Sequence, residues 1–362
     1  MKTLEKKSWL FTTILLLGIT LVSCNSESKK VEQKTLAINV KEQTKTDKVK
    51  KTVKEPIVFL TGYDKGNETF YKNASEYFKS KNYKIVNGQY SIEEIINWLN
   101  NNTNNEVYGE IHIVNKSNPY NGLSLETLVK GEKLSSETLR RAIVKGELPI
   151  LNEAVNKKTQ IIMHANGLGE NEDLLKTIKD AFYADELPNV IASPYYSIFN
   201  GEFSKHYLAK PYYVFYPTAH SPGKVDLSKE IAKKYPNEKD ISWYDALNNE
   251  NERYVGEAYF TKVNIPIKFE LDYHNSDDEL PKFKIAEEVM DFIEQHDELY
   301  AQVKKLNIPL EKFRWRWSVK NSTLIIKGST TCLTVLKPLI KPYGELEHIK
   351  PDTNNKRLYE TH

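Results

Sequence analysis

The sequence predicts an α/β protein with a mainly parallel sheet and helices on both faces, followed by an α+β extension. Between residues 56 and 200, short apolar runs that end in glycine or polar residues alternate with amphipathic stretches of helical period. Strands that alternate with helices at this spacing favour parallel pairing, because a crossover between parallel strands needs a helix. The extension over residues 201–362 either continues the same sheet or forms a separate domain.

The individual elements can be assigned in order along the chain. The predicted strands are 57–63, 83–88, 110–116, 159–165 and 189–195, and the predicted helices are 67–82, 91–102, 135–148 and 171–183. Ser91 and Glu94 have capping-box spacing, which marks the start of the second helix. In the extension, residues 284–306 predict one long amphipathic helix, and residues 322–340 predict two strands around Gly328.

The composition excludes several functional classes. The 51 lysines and arginines nearly balance the 49 aspartates and glutamates, so the net charge of +2 is too small to attract nucleic acid to the whole protein. Two cysteines, Cys24 and Cys332, are too few for a disulfide framework or a thiolate metal site, and Cys332 is interpreted as an apolar filler. The eight histidines have no zinc-binding spacing. We therefore expect no nucleic-acid partner, no metal and no cofactor.

The first 24 residues have the pattern of a secretory signal. Three lysines precede an apolar run that is shorter than the roughly 20 residues needed to span a bilayer. The run ends in Leu21, Val22, Ser23 and Cys24. This ending resembles the signal of bacterial lipoproteins, which implies that Cys24 carries the lipid. An ordinary signal peptide whose cysteine is incidental is the alternative.

The residues after Cys24 bear on the choice of membrane and on the distance from it. Because no aspartate comes directly after Cys24, the lipoprotein resemblance favours the outer membrane and leaves the inner membrane open. Residues 25–55 contain mixed charges, no aromatic residue and no glycine, so we expect a flexible tether.

Three strand ends carry a second resemblance. The order "EIHIVNKSNP", "TQIIMHANGLG" and "NVIASPYYS" resembles the core of the caspase-like cysteine peptidases, the group that includes caspases, gingipains and CHAT domains. The resemblance covers residues 56–200. In that family a His-Gly pair follows the third strand and a cysteine follows the fourth, whereas here Lys116 and Ser117 take the first position and Asn166 takes the second.

These replacements imply a degenerate peptidase. An amide cannot form an acyl intermediate, and a surface lysine is protonated at neutral pH and cannot act as a general base. A binding pocket remains, formed by Lys116, Asn166 and the backbone N–H groups around Gly167 and Gly169. Such a pocket can hold a carboxylate or a peptide carbonyl, so we expect a non-catalytic binding or scaffolding protein of the cell envelope.

Two other functions stay open at the level of sequence. The first is a hydrolase with an unrecognised site, in which His112, His164 or His220 is the base and Ser193, after the fifth strand, is the nearest candidate nucleophile. The second is a sugar-binding surface, which requires the tyrosines of residues 207–216 and the tryptophans of residues 313–319 to be exposed side by side.

Overall fold

The computed structural model describes residues 53–62, 69–104, 106–120, 122–274 and 279–362. The predicted signal peptide, Cys24 and tether residues 25–52 lie outside these ranges. Among the described residues, no helix has the length and apolar character needed to cross a membrane.

The secondary structure contains both helices and strands throughout. The strands are β1 (Val53–Lys54), β2 (Ile57–Leu60), β3 (Lys84–Asn87), β4 (Val107–Tyr108), β5 (Glu110–Val114), β6 (Ser117–Asn118), β7 (Gly122–Leu123), β8 (Gln160–His164), β9 (Asn189–Ala192), β10 (Tyr196–Phe199), β11 (His206–Pro217), β12 (Tyr259–Asp272), β13 (Arg314–Lys320), β14 (Thr323–Pro338) and β15 (Glu360–Thr361). The helices are α1 (Thr69–Lys79), α2 (Ile92–Asn102), α3 (Ser136–Lys145), α4 (Glu172–Ala181), α5 (Lys224–Lys234), α6 (Trp243–Ala246), α7 (Ala286–Gln295) and α8 (Asp297–Lys305).

One sheet carries the five strands that the sequence predicted. Its strand order is β15-β9-β8-β5-β2-β3, with parallel pairing between β3, β2, β5, β8 and β9 and an antiparallel β15 at the edge. Every residue of β2 is buried, as expected for a parallel strand that is covered on both faces. The mixed α/β class is confirmed.

The two faces of this sheet carry different helices. Ile57 and Phe59 pack in one cluster with apolar residues of α2, α3 and α4, whereas Val58 and Leu60 face α1 and Phe199 on the other side. The alternation along β2 follows from the two-residue period of a strand. The predicted capping box at the start of α2 is confirmed, since both of its hydrogen bonds are formed.

A second, antiparallel sheet comes after the parallel one. Strands β10, β11, β14 and β12 pair in that order, and β13 pairs with the first half of β14 on the same side as β11. Helices α5 and α6 cover one face with Leu227, Ile231 and Trp243, and α7 and α8 cover the other face. Most of the strand residues after residue 200 therefore belong to this second sheet, and β15 returns to the first.

The predicted division at residue 200 falls inside a β-hairpin. Strand β10 lies before it and β11 after it, and Phe199 pairs with His206. At the other end of the chain, β15 pairs with β9 of the first sheet. Residues 50–362 thus form one compact unit in which main-chain pairing crosses the division in both directions.

Two predicted elements of the extension were wrong. Residues 284–306 form two helices rather than one, because His296 adopts an extended backbone (φ −106°, ψ 100°) between α7 and α8. Residues 323–338 form one strand rather than two. Gly328 lies inside it because a Cβ there would come within 2.6 Å of the Trp315 ring and 2.8 Å of Ile267, so this glycine allows close packing and makes no turn.

The end of the tether also differs from the prediction. Val53 and Lys54, which were assigned to a flexible segment, form β1 and pair in parallel with Val107 and Tyr108 of β4. Nζ of Lys54 also lies 3.6 Å from Oε2 of Glu106, within ion-pair distance. The assignment of Val53 and Lys54 to the tether was therefore wrong.

Candidate functional site

The carboxyl ends of β5 and β8 open into a cavity of about 690 Å³. Val114 and His164 are paired at the ends of these neighbouring parallel strands, so the residues that come next in the chain lie at the same edge of the sheet. Lys116 and Asn166 both line the cavity. The structure thus brings together the two positions that the sequence singled out, and we call this space the strand-end cavity.

The loop after β5 is fixed by a buried amide. Nδ2 of Asn115 donates to Thr61 Oγ1 over 2.6 Å, and Oδ1 of Asn115 accepts from the N–H of Ser124 over 2.8 Å. The backbone N–H of Lys116 donates to the hydroxyl of Tyr71 over 2.9 Å. These bonds hold the backbone of Lys116 in place while its side chain is exposed at the cavity.

Asn166 joins the two sheets. Its Oδ1 accepts a hydrogen bond from the N–H of Ser197 in β10 over 3.1 Å. Within the described part of the chain, its amide nitrogen donates no hydrogen bond. Asn166 therefore offers an amide donor to the cavity.

The backbone around the two glycines does not serve as predicted. The N–H of Gly167 donates to Tyr195 O over 3.3 Å and the N–H of Gly169 donates to Ser193 O over 3.0 Å, so neither group is available to a ligand. Gly167 adopts a positive φ of 73°, and a Cβ on Gly169 would approach Pro194 N to 2.5 Å. The glycines are needed for the turn and for close packing, and their assignment to the binding pocket was wrong.

The opposite wall comes from the second sheet. Tyr196 and Ile198 of β10, Tyr259 and Val263 of β12, and Leu336 of β14 supply an apolar surface. Burial raises the pKa of Tyr259 to about 12, and it also raises the pKa of Tyr196, so both phenols stay neutral at physiological pH. The wall offers mainly flat aromatic surface, since the Tyr259 hydroxyl already shares a hydrogen bond with the Tyr207 hydroxyl over 3.1 Å.

Positive charge dominates the rim. Among the described residues, Lys116, Lys133 and Lys262 line the cavity together with one carboxylate, that of Glu250. This excess of lysine among the described lining residues favours an anionic group in the ligand, because the charges act over short distances in a partly desolvated space. Sequence reasoning missed Lys133, Lys262 and the aromatic wall. The strand pattern of residues 259–263 is visible in the sequence, but its position opposite β5 and β8 is not.

His112 and His164 face each other across β5 and β8. Nδ1 of His112 lies 3.0 Å from Nε2 of His164, and Nε2 of His112 lies 3.3 Å from Oε2 of Glu110. Nδ1 of His164 is buried and has no hydrogen-bond partner among the described residues. Burial, with the neighbouring His112 and His206, holds the pKa of His164 well below its usual value. His164 is a neutral, packed imidazole and is absent from the residues that line the strand-end cavity.

His206 completes this cluster. Its ring stacks on Phe199 at 4.6 Å between centroids, and its Nε2 is buried without a partner in the described part of the chain. Burial lowers the pKa of His206 to about 3, with smaller contributions from His112 and Lys81. We call His112, His164 and His206 the histidine cluster. Of the described side chains, no group of three or more His, Cys, Asp or Glu residues could hold a metal ion.

Ser193 has other partners than the histidine suggested by the sequence. Its Oγ donates to Leu358 O over 2.8 Å, and it is almost fully buried. Since neither nitrogen of His164 contacts it, His164 and Ser193 do not form a base and nucleophile pair. His220, the remaining fallback base, is exposed in the loop after β11 and does not line the cavity.

Two further sequence interpretations concern buried side chains. Cys332 is fully buried in the second sheet, and this burial raises the pKa of its thiol to about 12, so the apolar-filler assignment is confirmed. Trp315 is buried as well, and its Nε1 donates to Leu310 O over 3.0 Å. The exposed tyrosine and tryptophan face that a sugar-binding surface requires is therefore not formed at Trp315.

Comparison with protein-family models, with curated proteins and with solved structures found no match. The residues and geometry of the cavity are therefore the basis for the functional conclusion.

Proposed function

We propose that this chain is a lipid-anchored protein of the cell envelope that is attached through Cys24 to the outer membrane. Its strand-end cavity binds a peptide or protein segment that presents a carboxylate, and the bound segment is not cleaved there. The protein acts as a binding or scaffolding module derived from a caspase-like peptidase.

The observation that carries the proposal is the meeting of Lys116 and Asn166 in one cavity. Lys116 supplies an ammonium group and Asn166 an amide donor, which are the donors that a carboxylate needs. Lys133 and Lys262 add positive charge, and the aromatic wall of β10 and β12 accepts apolar side chains of the same ligand.

The arrangement of strands supports the caspase-like part of the proposal. The resemblance requires the ends of the third and fourth parallel strands to be neighbours, and β5 and β8 are paired. At these ends the chain places Lys116 and Asn166, neither of which can act in cysteine-peptidase chemistry. Cys332 lies buried in the other sheet and cannot replace the missing nucleophile.

Binding of a fluorescent peptide pool to the full chain in detergent tests the proposal. Two pools with the same sequences are compared, one with free carboxyl termini and one with amidated termini. We expect the free-carboxylate pool to bind more tightly, by about tenfold, which corresponds to about 1.4 kcal/mol.

Two variants connect this preference to the cavity. Asn166→Asp keeps the oxygen that accepts from Ser197 N–H but replaces the amide donor with a negative charge, and Lys116→Glu reverses the charge at the rim. Each is expected to abolish the preference for free carboxylates. Lys145→Glu is the matched control, because this exposed lysine of α3 does not line the cavity. Equal binding of both pools to the wild type, or equal loss in the control, would overturn the proposal.

A further inference from the structure

A serine, a histidine and a glutamate form a hydrogen-bonded row beside the β10–β11 hairpin. Nδ1 of His348 lies 2.8 Å from Oγ of Ser204, and Nε2 of His348 lies 2.8 Å from Oε1 of Glu252. The side chains of His348 and Glu252 are each only 2% exposed, whereas Ser204 in the hairpin loop is half-buried. We call these three residues the serine relay.

The direction of the hydrogen bonds follows from the chemistry of the groups. An ionised carboxylate can only accept, so Nε2 of His348 must carry the proton that bonds to Glu252. In the neutral imidazole, Nδ1 then has a free lone pair and accepts the hydroxyl proton of Ser204. The serine hydroxyl is therefore held by a base that is itself oriented by a carboxylate, which is the arrangement that activates a serine nucleophile.

Several contacts fix the relay in place. The N–H of Gly256 donates to Oε1 of Glu252 over 2.6 Å. The ring of Tyr207 stacks on the imidazole of His348 with centroids 4.0 Å apart and planes at 14°. Burying a carboxylate costs free energy even when one of its oxygens is paired, and a buried carboxylate beside an imidazole is a common arrangement in functional sites.

A cavity of about 720 Å³ lies beside one member of the relay. Glu252, Tyr207 and the hairpin residues 199–203 line it, whereas Ser204 follows directly in the chain and, like His348, is not a lining residue. It shares Ile198, Asn251 and Tyr259 with the strand-end cavity. One oxygen of Glu252, Oε2, is buried and has no partner among the described residues.

We propose that Ser204 is the nucleophile of a serine hydrolase site that acts on carboxylic esters, with His348 as general base and Glu252 as the residue that positions His348. Ser204 Oγ attacks the ester carbonyl carbon while its proton passes to Nδ1 of His348. The carbon–oxygen bond to the alcohol then breaks, and His348 returns the proton to the leaving alcohol. Water attacks the acyl-serine in the same way, which releases the acid and restores the serine hydroxyl.

This site is separate from the proposed binding function, which depends on Lys116 and Asn166. The experiment is labelling of the full chain in detergent with a fluorophosphonate probe, followed by mass spectrometry of the labelled peptide. The probe phosphonylates an activated serine with loss of fluoride and needs no knowledge of the natural substrate. We expect one phosphonyl group on Ser204 and none in Ser204→Ala.

Two variants separate catalysis from structure. His348→Gln keeps a polar side chain between its neighbours but removes the base, so the labelling rate is expected to fall by about a hundredfold or more. Glu252→Gln is expected to slow labelling and to shift its pH midpoint, which a merely structural role would not do. Ser221→Ala, in an exposed loop, is the control that keeps full labelling.

The folded state of each variant is checked by its thermal transition, so that loss of label is interpreted only in folded protein. A folded wild type that gains no label at Ser204 would overturn the proposal, and the row would then be a structural link between the hairpin and the carboxyl-terminal segment. Equal labelling of wild type and folded His348→Gln would overturn it as well.

Discussion

Two groups of buried histidines differ in their surroundings. In the histidine cluster, His164 and His206 lie among aromatic rings, and each has a buried nitrogen without a partner in the described part of the chain. In the serine relay, both nitrogens of His348 are bonded, one to Ser204 and one to Glu252. The aromatic surroundings keep His164 and His206 neutral and unreactive. In the serine relay, the imidazole of His348 accepts a hydrogen bond from a hydroxyl and is oriented by a carboxylate.

Burial alone therefore does not distinguish the two groups of histidines. The histidine cluster is close to the strand ends of a parallel sheet, where ligands usually bind, yet neither His164 nor His206 lines the strand-end cavity. His348 lies far away in sequence and contacts the hydroxyl of the part-buried Ser204. Partner chemistry, and not position on the sheet, separates the two groups.

The largest expected effect is the loss of the Glu252 carboxylate. Glu252→Ala leaves the imidazole of His348 and the N–H of Gly256 buried without their acceptor. A buried donor left without an acceptor costs roughly 1–3 kcal/mol, so with two such donors we expect the free energy of unfolding in urea to fall by at least about 2 kcal/mol. A loss below about 1 kcal/mol would show that the relay is open to water and would weaken the contrast with the histidine cluster.

The histidine cluster is expected to make stability depend on pH. The pKa values of His164 and His206 are lowered in the folded state, so below about pH 6.5 the unfolded chain binds protons that the folded chain does not. Stability is therefore fully present above about pH 6.5 and is lost as the pH falls toward the folded-state pKa of His206 of about 3. In this window, each histidine lowers the free energy of unfolding by up to about 1.4 kcal/mol for every pH unit by which the solution is acidified.

Urea unfolding of wild type and His206→Phe at pH 7.0, 6.0 and 5.0, values chosen around the unperturbed histidine pKa, measures this contribution directly. We expect a shallower loss of stability in the variant, because one of the two groups no longer takes up a proton on unfolding. Parallel pH profiles for the two proteins would mean that His206 is not held neutral by burial and would contradict this account of the histidine cluster.

The smallest expected effect is that of the same substitution at neutral pH. The buried Nε2 of His206 has no hydrogen-bond partner among the residues that the structure describes, and the ring stacks on Phe199. Phenylalanine has a similar shape and no polar atom to bury, so the free energy of unfolding at pH 7 should change by less than about 1 kcal/mol in either direction. A loss of more than about 2 kcal/mol would show an essential bond from the imidazole.

The parallel sheet could be predicted from sequence for a local reason. Each of its main strands is a short apolar run, as in the "IVFL" of β2, and the helices between them carry a clear apolar stripe. The capping box at Ser91 marked the start of α2 in the same local way. Lys116 and Asn166 were located because they come just after two such strands.

The errors arose where distant residues decide the structure. Gly328 is needed because the Trp315 ring packs closely against β14 at this position. The residues next to Gly328 in sequence do not reveal that contact. The relay joins Ser204 and Glu252 to a histidine 144 and 96 residues away, and no spacing rule connects them. The N–H groups of Gly167 and Gly169 were expected to face a ligand, but the loop after β9 accepts both bonds.

Whether the strand-end cavity binds a peptide without cutting it is tested most directly by recovering the bound peptide. The full chain with Ser204→Ala, which removes the proposed serine chemistry, is incubated with the free-carboxylate peptide pool, and the retained peptides are identified by mass spectrometry. We expect intact peptides to be retained, and we expect Asn166→Asp in the same background to release them. Cleavage products that depend on Lys116 or Asn166, or no retained peptide at all, would contradict the central claim.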